Sequence, residues 1–209
     1  MEIKILNHSD ELHTCEPFSI NCLLWGTLEI PSTHGRIGFV REEGFYLSLT
    51  CEESSPLRTY TADNSPVYKD SAMEAFFCFW PKGRPSDIYL NFEMNANGAL
   101  LAMYGTSRTE RTVFPSHWIE KCRCRAQVGE NGWSLSLWIP LCILEEIYGE
   151  LTFENGTSLS LNFYKLSEAP DIEHYASYAP IQAPHPNFHL PQYFEQSVLT
   201  EASEYTRSH

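Results

Sequence analysis

The stretch that decides the fold reads VYKDSAMEAFFCFW at residues 67–80 and IYLNFEMNANGALLAMY at residues 88–104. Asn97 and Gly98 separate two runs in which apolar and polar residues alternate, and both residues tolerate the positive φ angles of a type I′ turn. The spacing therefore predicts an antiparallel hairpin with a two-residue loop. In that register Ala102 lies opposite Glu93 and leaves its carboxylate uncrowded.

The two faces of the predicted hairpin differ in chemistry. Side chains alternate between the faces of a strand, and one face is apolar throughout, so it is expected to lie against the core. The other face is polar and aromatic: Tyr89, Asn91, Glu93 and Asn95, with Leu100, Ala102 and Tyr104 across the hairpin.

The run before the hairpin, residues 71–80, is apolar on both faces, as is typical of a strand in the middle of a sheet. Glu74 is the exception, and its position predicts that it shares a sheet face with Glu93. An unpaired carboxylate in a dry core costs several kcal/mol. Glu74 is therefore either hydrogen-bonded to nearby backbone and hydroxyl groups or directed into a wet concavity; the neighbouring polar residues favour a ligand-binding face.

Composition limits the classes of protein and partner. The chain has 209 residues, of which 43% are hydrophobic and 13% aromatic, which predicts one globular domain over residues 1–209. The 27 acidic and 14 basic residues give a net charge of −13. That charge opposes nucleic acids and anionic membranes as partners and favours a neutral one. The sequence does not indicate an oligomeric state.

The opening segment, MEIKILNHSDEL, lacks a basic stretch followed by an apolar one, so we predict a cytoplasmic protein. No apolar run approaches the roughly 20 residues of a membrane-spanning helix. Seven cysteines without a CxxC pair predict free, mostly buried thiols rather than a disulfide framework.

The rest of the chain supplies further strands and hairpin turns. A hairpin is predicted over residues 36–51, alternating strands over 121–128 and 133–139, and a last long strand over 159–164. Pro140 to Tyr148, followed by Gly149, predicts one short helix. Proline and aromatic residues over 169–194 predict a segment that wraps the domain. The predicted fold is an all-β antiparallel sandwich of the immunoglobulin or jelly-roll kind with one short helix.

Several blocks, taken in order, resemble the family 9 carbohydrate-binding modules and their DOMON-like single-domain relatives. The blocks are VYKDSAMEAFF, YLNFEMNANGALL, GWSLSLWIPL, NFYKLSEAPDIEHYASYAPI and PNFHLPQYF, and the resemblance extends from about Gly35 to Val198. It implies a β-sandwich that binds carbohydrate without catalysis. Family members are usually attached to glycoside hydrolases that degrade polysaccharides, and several hold structural calcium.

The resemblance also places the family's site on this sequence. Its members stack a sugar between two aromatic side chains, which correspond here to Tyr68, with Tyr60 as the alternative, and to Phe188. The carboxylate of the central strand corresponds to Glu74. Glu93 occupies a position where family members carry a cationic donor, and neither aromatic position is Trp. These departures put the family's sugar specificity in doubt more than its fold.

A neutral mono- or oligosaccharide suits this set chemically. The C–H face of a sugar packs on an aromatic ring, and its neighbouring hydroxyls pair with planar amides and carboxylates. Arg108 and Arg111 follow the hairpin and are the nearest cations, although such arginines are often simply solvated. The predicted ligand-binding residues are Tyr68, Glu74, Asn91, Glu93, Asn95, Tyr104, Arg108, Phe188 and His189.

Other interpretations stay open at this point. A glycoside hydrolase would use two carboxylates roughly 5 to 9 Å apart, for which Glu74 and Glu93 are the candidates, but a sheet face supplies little of the water-excluding cleft that it needs. A protein-interaction sandwich that has lost sugar binding is the main alternative. Prolines around His185 and His189 exclude a helical metal pair, so we predict no cofactor, although structural calcium held by Asp63 or Asp70 remains open.

Overall fold

The computed structural model describes residues 1–201, apart from the side chain of Lys82. Its regular elements are β-strands and two short α-helices. The strands are β1 (Glu2–Leu6), β2 (Phe18–Ser19), β3 (Cys22–Leu23), β4 (Thr33–Val40), β5 (Gly44–Cys51), β6 (Ala72–Phe79), β7 (Tyr89–Asn95), β8 (Leu100–Ser107), β9 (Glu110–Val113), β10 (Arg125–Val128), β11 (Trp133–Pro140), β12 (Ser158–Ser167), β13 (His174–Ser177) and β14 (Glu195–Glu201). The helices are α1 (Ser116–Cys122) and α2 (Leu141–Tyr148).

The strands form one curled sheet in the order β10-β11-β5-β4-β1-β14-β12-β6-β7-β8-β9. We call β10 to β1 in this order the first layer, and β14 to β9 the second layer. The described pairs are antiparallel except that β1 pairs in parallel with β4 and with β14. Rings from the two layers pack together: the centroids of Phe45 and Phe79 lie 5.3 Å apart. The predicted β-sandwich is confirmed, with β1 as the strand that joins its layers.

The second layer is covered on both faces. Its inner face packs against the first layer through side chains such as Phe77 and Phe92. Its outer face carries a second apolar cluster in which Phe76 and Tyr164 pack under Phe188, from the proline-rich segment. The segment therefore wraps the sheet as predicted. This cover explains why β6 is apolar on both faces.

The register of the β7–β8 hairpin differs by one residue from the prediction. Glu93 pairs with Leu101 instead of Ala102, and the loop has three residues, 96–98. The Asn95 side chain causes the difference, because its Oδ1 accepts hydrogen bonds from the backbone N–H of Asn97 at 3.1 Å and of Ala99 at 3.2 Å. Such an Asx-type turn stabilises the longer loop, with Gly98 at φ +78°.

The shifted register moves Tyr104 to the other face of the sheet. Tyr104 pairs with Leu90, which is part of the core between the layers. Its ring packs 6.0 Å from Phe114 and 6.0 Å from Trp118, centroid to centroid. The prediction that Tyr104 shares the polar face with Glu93 is therefore wrong, since a slip of one residue exchanges the two faces of a strand.

One helix follows the sequence prediction and the other does not. Helix α2 begins after Pro140 and ends at Gly149, whose φ is +81°, as the proline and glycine signals indicate. Helix α1 was not predicted; it takes the first two residues of the strand expected over 121–128, and that strand, β10, begins at Arg125. Helix α1 buries Trp118, Ile119 and Cys122, but two turns are too short for a helical period to stand out.

The seven cysteines are free thiols, of which Cys142 is the exposed one. This agrees with the expectation of thiols without a disulfide framework. Among residues 1–201, no helix combines the length and the apolar character needed to cross a membrane.

Candidate ligand-binding site

A cavity of about 440 Å³ lies on the outer face of the second layer, beneath the proline-rich segment. Carboxyl, cationic and aromatic side chains converge on it. The carboxyl groups are Glu74, Glu93 and Glu168; the cations are Lys69, Arg108 and Arg111; and the aromatic rings include Trp25, Tyr68, Tyr175 and Phe188. A concave site with apolar walls and a few convergent polar groups is the usual form of a small-molecule site.

Two opposed glutamates form part of the cavity floor. Glu74 of β6 pairs directly with Glu93 of β7, and the two residues are only 3% and 4% exposed. Glu93 Oε1 accepts a hydrogen bond from Asn91 Nδ2 at 3.0 Å and lies 3.9 Å from an Arg111 guanidinium nitrogen. Arg111 also donates to Asn91 Oδ1 at 3.2 Å. Glu93 is therefore held by an amide and a cation, as a buried carboxylate requires.

The two glutamates differ in protonation. Burial, followed by the adjacent Glu93 carboxylate, raises the pKa of Glu74 well above its usual range. Burial also raises the pKa of Glu93, but the Arg111 guanidinium opposes that shift. The Glu74 carboxyl lies opposite the Glu93 carboxyl, whereas Glu93 is held by Asn91 and Arg111. Of the two, Glu74 holds a proton more tightly, so its carboxyl group can donate a hydrogen bond where Glu93, beside Arg111, can accept one.

The aromatic walls are held in place by their own contacts. Phe188 stacks on Tyr164 with 4.0 Å between centroids and 13° between planes. Trp25 packs against Phe188 at 5.4 Å, and its indole Nε1 donates to the Ala183 carbonyl at 2.8 Å. Tyr68 lies in a 3₁₀ turn over Val67–Lys69 and is half-buried. The cavity therefore has rings that do not need to reorganise before they contact a ligand.

His189 adds a neutral polar edge to the same wall. Its Nδ1 lies 2.9 Å from the Tyr89 hydroxyl, and its ring packs 4.9 Å from the ring of Phe76. Burial, helped by Arg111, lowers the pKa of His189 to about 3. The imidazole is therefore neutral at pH 7, and its Nδ1 shares a hydrogen bond with the Tyr89 hydroxyl.

The structure brings most of the predicted site residues together. The residues that line the cavity are Tyr68, Glu74, Glu93, Arg108, Phe188 and His189. Asn91 lies behind the floor, where it orients Glu93.

Asn95 is not in the cavity. Its Nδ2 donates to the Tyr60 carbonyl at 2.7 Å and to Asp70 Oδ2 at 2.8 Å, so it fixes the loop beside the hairpin. Tyr104 lies on the opposite face of the sheet, as described above. Asn95 shares the outer face with Glu93, as predicted, but neither Asn95 nor Tyr104 lines the cavity, because each is used to build the fold.

Sequence reasoning missed Trp25 and the role of Arg111. Residues 1–34 show little alternation of apolar and polar residues, so the sequence gives no signal that places Trp25 in the site. Trp25 reaches the cavity through the short pairing of β3 with β13, where Leu23 lies opposite Ala176. The resemblance implied a cationic donor at the position of Glu93. Arg111, which lies on β9, places a cation beside that position instead. Neither partnership can be inferred from local spacing.

Asp63 and Asp70 do not fit a calcium site. Asp70 accepts hydrogen bonds from the backbone N–H of Thr59 and Tyr60, both at 2.9 Å, and Asp63 accepts one from Leu100 at 2.9 Å. Carboxylate oxygens that accept from N–H groups are oriented toward donors rather than toward a cation. Among residues 1–201 no group of three His, Cys, Asp or Glu side chains could hold a metal ion. Calcium at another place stays a prediction.

A family model named carbohydrate-binding family 9 matches residues 6–199. The chain belongs to this family. The match covers the cavity and both layers of the sandwich, so the resemblance inferred from the sequence blocks is confirmed. Among curated proteins, no sequence matches the chain.

Three solved structures of carbohydrate-binding proteins show the same fold. A presumed carbohydrate-binding protein from Bacteroides uniformis ATCC 8492 has a TM-score of 0.80 and 22% identity, covering 95% of this chain and 98% of that one. A family 9 module from Caldicellulosiruptor kristjanssonii, in complex with cellotriose, has a TM-score of 0.61 and 12% identity, covering 99% and 97%. A family 9 module from the same organism, in complex with glucose, has a TM-score of 0.62 and 12% identity, covering 99% of this chain and 100% of that one.

Proposed function

We propose that this family 9 chain binds a mono- or oligosaccharide in the 440 Å³ cavity. The observation that carries the proposal is the pair Glu74 and Glu93, which face each other on the floor between aromatic walls. Family membership and the sugar complexes of two similar structures support it.

The chemistry of the floor suits sugar hydroxyls. A hydroxyl both donates and accepts, so a protonated Glu74 can donate to one sugar oxygen while the Glu93 carboxylate accepts from the next. Rings such as Tyr68 and Phe188 can pack against the C–H face of the sugar. A neutral sugar, which the net charge of −13 favours, satisfies these groups without a further charge.

We also propose that binding is not followed by catalysis. Glycosidases place their two carboxyl groups on either side of the scissile bond. Glu74 and Glu93 are neighbours across one strand pair, so they approach a ligand from the same side. Arg111 already pairs with Glu93. Release of reducing sugar from xylan, cellulose or mannan, abolished in Glu74→Gln, would show that the chain is a hydrolase instead.

A protein-interaction role, the alternative raised by the sequence, would be favoured by a flat apolar patch. In the described part of the chain the site is instead a cavity lined by three glutamates, three cationic side chains and a histidine. This supports a small polar ligand over a protein surface. A cytoplasmic location and an association with glycoside hydrolases stay predictions.

Isothermal titration tests the proposal. The full chain is titrated with monosaccharides and with short xylo-, cello- and manno-oligosaccharides, with and without calcium. We expect a dissociation constant between millimolar and micromolar for at least one sugar, weakened at least about tenfold in Glu93→Gln, which replaces the carboxylate acceptor by a neutral amide. Glu130→Gln, an exposed glutamate outside the cavity lining, serves as the matched control. A folded protein that binds no sugar of the panel would contradict the proposal.

A further inference from the structure

A second cavity adjoins the first one. It has a volume of about 420 Å³. Trp25, Tyr175 and Pro186 line both cavities, so these three residues form a wall with a cavity on each side. Sites for small molecules usually measure about 300 to 1,000 Å³, so each cavity alone suits a compact ligand.

Trp25 reaches this wall through a backbone conformation that a tryptophan rarely adopts. Its φ is +49°, and that of Gly26 is +85°. The Thr27 N–H donates to the Leu24 carbonyl at 3.0 Å and closes a tight turn around these two residues. Left-handed backbone at a bulky residue is unfavourable by about 1 kcal/mol or more and persists only where the surroundings enforce it.

The contacts of the indole enforce that conformation. The hydrogen bond from Trp25 Nε1 to Ala183 fixes the ring, and the Tyr175 ring meets it edge-on at 5.5 Å and 79°. Tyr175 is fixed in turn, because its N–H donates to Thr27 Oγ1 at 2.9 Å and its hydroxyl donates to Glu173 Oε1 at 2.8 Å. Trp25 remains only half-buried. A strained residue that keeps an accessible aromatic ring between two cavities is a candidate for ligand contact.

We propose that the ligand is a sugar chain of at least two residues, with Trp25 as the aromatic platform between two subsites. This inference rests on the proposed function. One sugar residue lies over Glu74 and Glu93, and the next one lies in the adjoining cavity beside Glu173, whose carboxylate accepts from sugar hydroxyls. Chain length, rather than only the kind of sugar, is then a determinant of affinity.

The test compares ligands of increasing length by isothermal titration of the full chain. Monosaccharide, disaccharide and trisaccharide are titrated in each of the xylo-, cello- and manno- series. In the series that binds, we expect the disaccharide to bind at least about tenfold tighter than the monosaccharide. We expect Trp25→Asn to reduce this ratio to less than about threefold, and Trp25→Phe to fall between the two.

The variants are chosen so that folding does not obscure the result. Asn is among the residues most tolerant of left-handed backbone, so Trp25→Asn removes the ring without adding strain. Leu28→Ala is the control on the same loop, because Leu28 is 90% exposed and lines neither cavity. It should keep the tenfold ratio.

The outcomes separate this inference from the proposed function. A monosaccharide that binds as tightly as its disaccharide would overturn the two-subsite ligand and leave sugar binding standing. A tenfold ratio that survives in Trp25→Asn would overturn the role of Trp25. No binding in any series would overturn the proposed function, and this inference with it.

Discussion

Two buried ionisable groups, Lys165 and Glu74, lie on opposite faces of the second layer, and they differ in how they are satisfied. Lys165 points between the layers, where its ammonium contacts Glu53 Oε2 at 3.4 Å, His174 Nε2 at 2.9 Å and the Leu166 carbonyl at 3.4 Å. Glu74 points outward, into the cavity, and the group paired with it across the sheet is a second carboxyl, that of Glu93. The Lys165 ammonium is thus surrounded by acceptors from the protein, whereas the Glu74 carboxyl faces a cavity and another carboxyl.

Lys165, Glu53 and His174 form what we call the inner cluster. The surroundings of Glu53 show that its hydrogen-bonding groups have partners within the protein. Its carboxylate accepts from Ser71 Oγ at 2.7 Å and from Trp133 Nε1 at 3.0 Å in addition to its ion pair with Lys165. Buried charges that exhaust their donors and acceptors within the protein hold its parts together. A buried carboxyl that lacks partners but borders a cavity has capacity left for a ligand. The comparison therefore distinguishes ionisable groups that stabilise the fold, such as Lys165 and Glu53, from a group such as Glu74 that can bind a ligand.

The largest expected effect comes from removing the cation of the inner cluster. Lys165→Met leaves the Glu53 carboxylate without its ion-pair partner in a largely buried place, so we expect the free energy of unfolding to fall by about 3 to 5 kcal/mol. Urea denaturation of the full chain measures it. Lys121→Met, at an exposed lysine, should change stability by less than about 0.5 kcal/mol. Equal effects in the two variants would show that the cluster is not structural.

The inner cluster should also make the protein sensitive to acid. Burial, followed by the Lys165 charge, lowers the pKa of His174 from 6.5 to about 4. Between these values the unfolded chain binds the proton more readily, so stability falls as pH falls, by up to about 1.4 kcal/mol per pH unit. We expect His174→Gln to flatten this dependence between pH 6.5 and 4.

His189 contributes a separate acid dependence, because its pKa is also lowered. The comparison is therefore between slopes of wild type and His174→Gln, measured by urea denaturation at each pH. Identical slopes would contradict the assignment.

The cavity glutamate should respond to pH in the opposite direction. Because the pKa of Glu74 is raised in the folded state above its ordinary value of 4.5, the folded protein retains the proton longer than the unfolded chain. Stability contributed by this group is present below pH 4.5 and is lost as pH rises above it. We expect Glu74→Gln to be more stable than wild type at pH 8, by about 1 kcal/mol or more, and similar at pH 4.

Thermal or urea unfolding at the two pH values measures that difference. Glu130→Gln, at an exposed position, should shift neither value. A Glu74→Gln variant less stable than wild type at pH 8 would mean that the carboxylate is satisfied in the folded protein.

The smallest effect on stability is expected for an ion pair at the surface. It is the reference against which the effects at Lys165 and at Glu74 are judged. Arg41 and Glu201 form an ion pair at 2.6 Å, but their side chains are 50% and 59% exposed. Water screens such a pair, so Arg41→Ala should lower stability by less than about 1 kcal/mol, and added salt should remove the effect. A larger loss of stability that persists in added salt would mean that solvent exposure does not distinguish weak ion pairs from strong ones in this protein.

The central part of the site could be predicted because alternation is a local signal. The two-residue period placed Glu74 on the face of Glu93, and the two are direct neighbours in the sheet. The run of apolar residues on both faces predicted that β6 is central, and it lies between β12 and β7. The two-residue period could not give the register of β7 with β8, because the Asn95 side chain lengthens the turn by one residue.

Contacts between distant segments were beyond sequence reasoning. Leu161, Phe163 and Lys165 are two residues apart on β12, so the alternation of side chains places all three on the inner face of the strand. The burial of Lys165 therefore follows from a local pattern. Its partner Glu53 lies more than a hundred residues away in the chain. Trp25 likewise reaches the cavity only because β3 pairs with β13. Long-range pairing is set by the packing of the whole sheet, which local patterns do not encode.

The most direct test of sugar binding at this site is a crystal structure of the full chain grown with the sugar of highest measured affinity. We predict density for a sugar in the 440 Å³ cavity, with hydroxyl groups within hydrogen-bond distance of Glu74 and Glu93. Sugar bound elsewhere on the molecule, with this cavity filled only by water, would contradict the account.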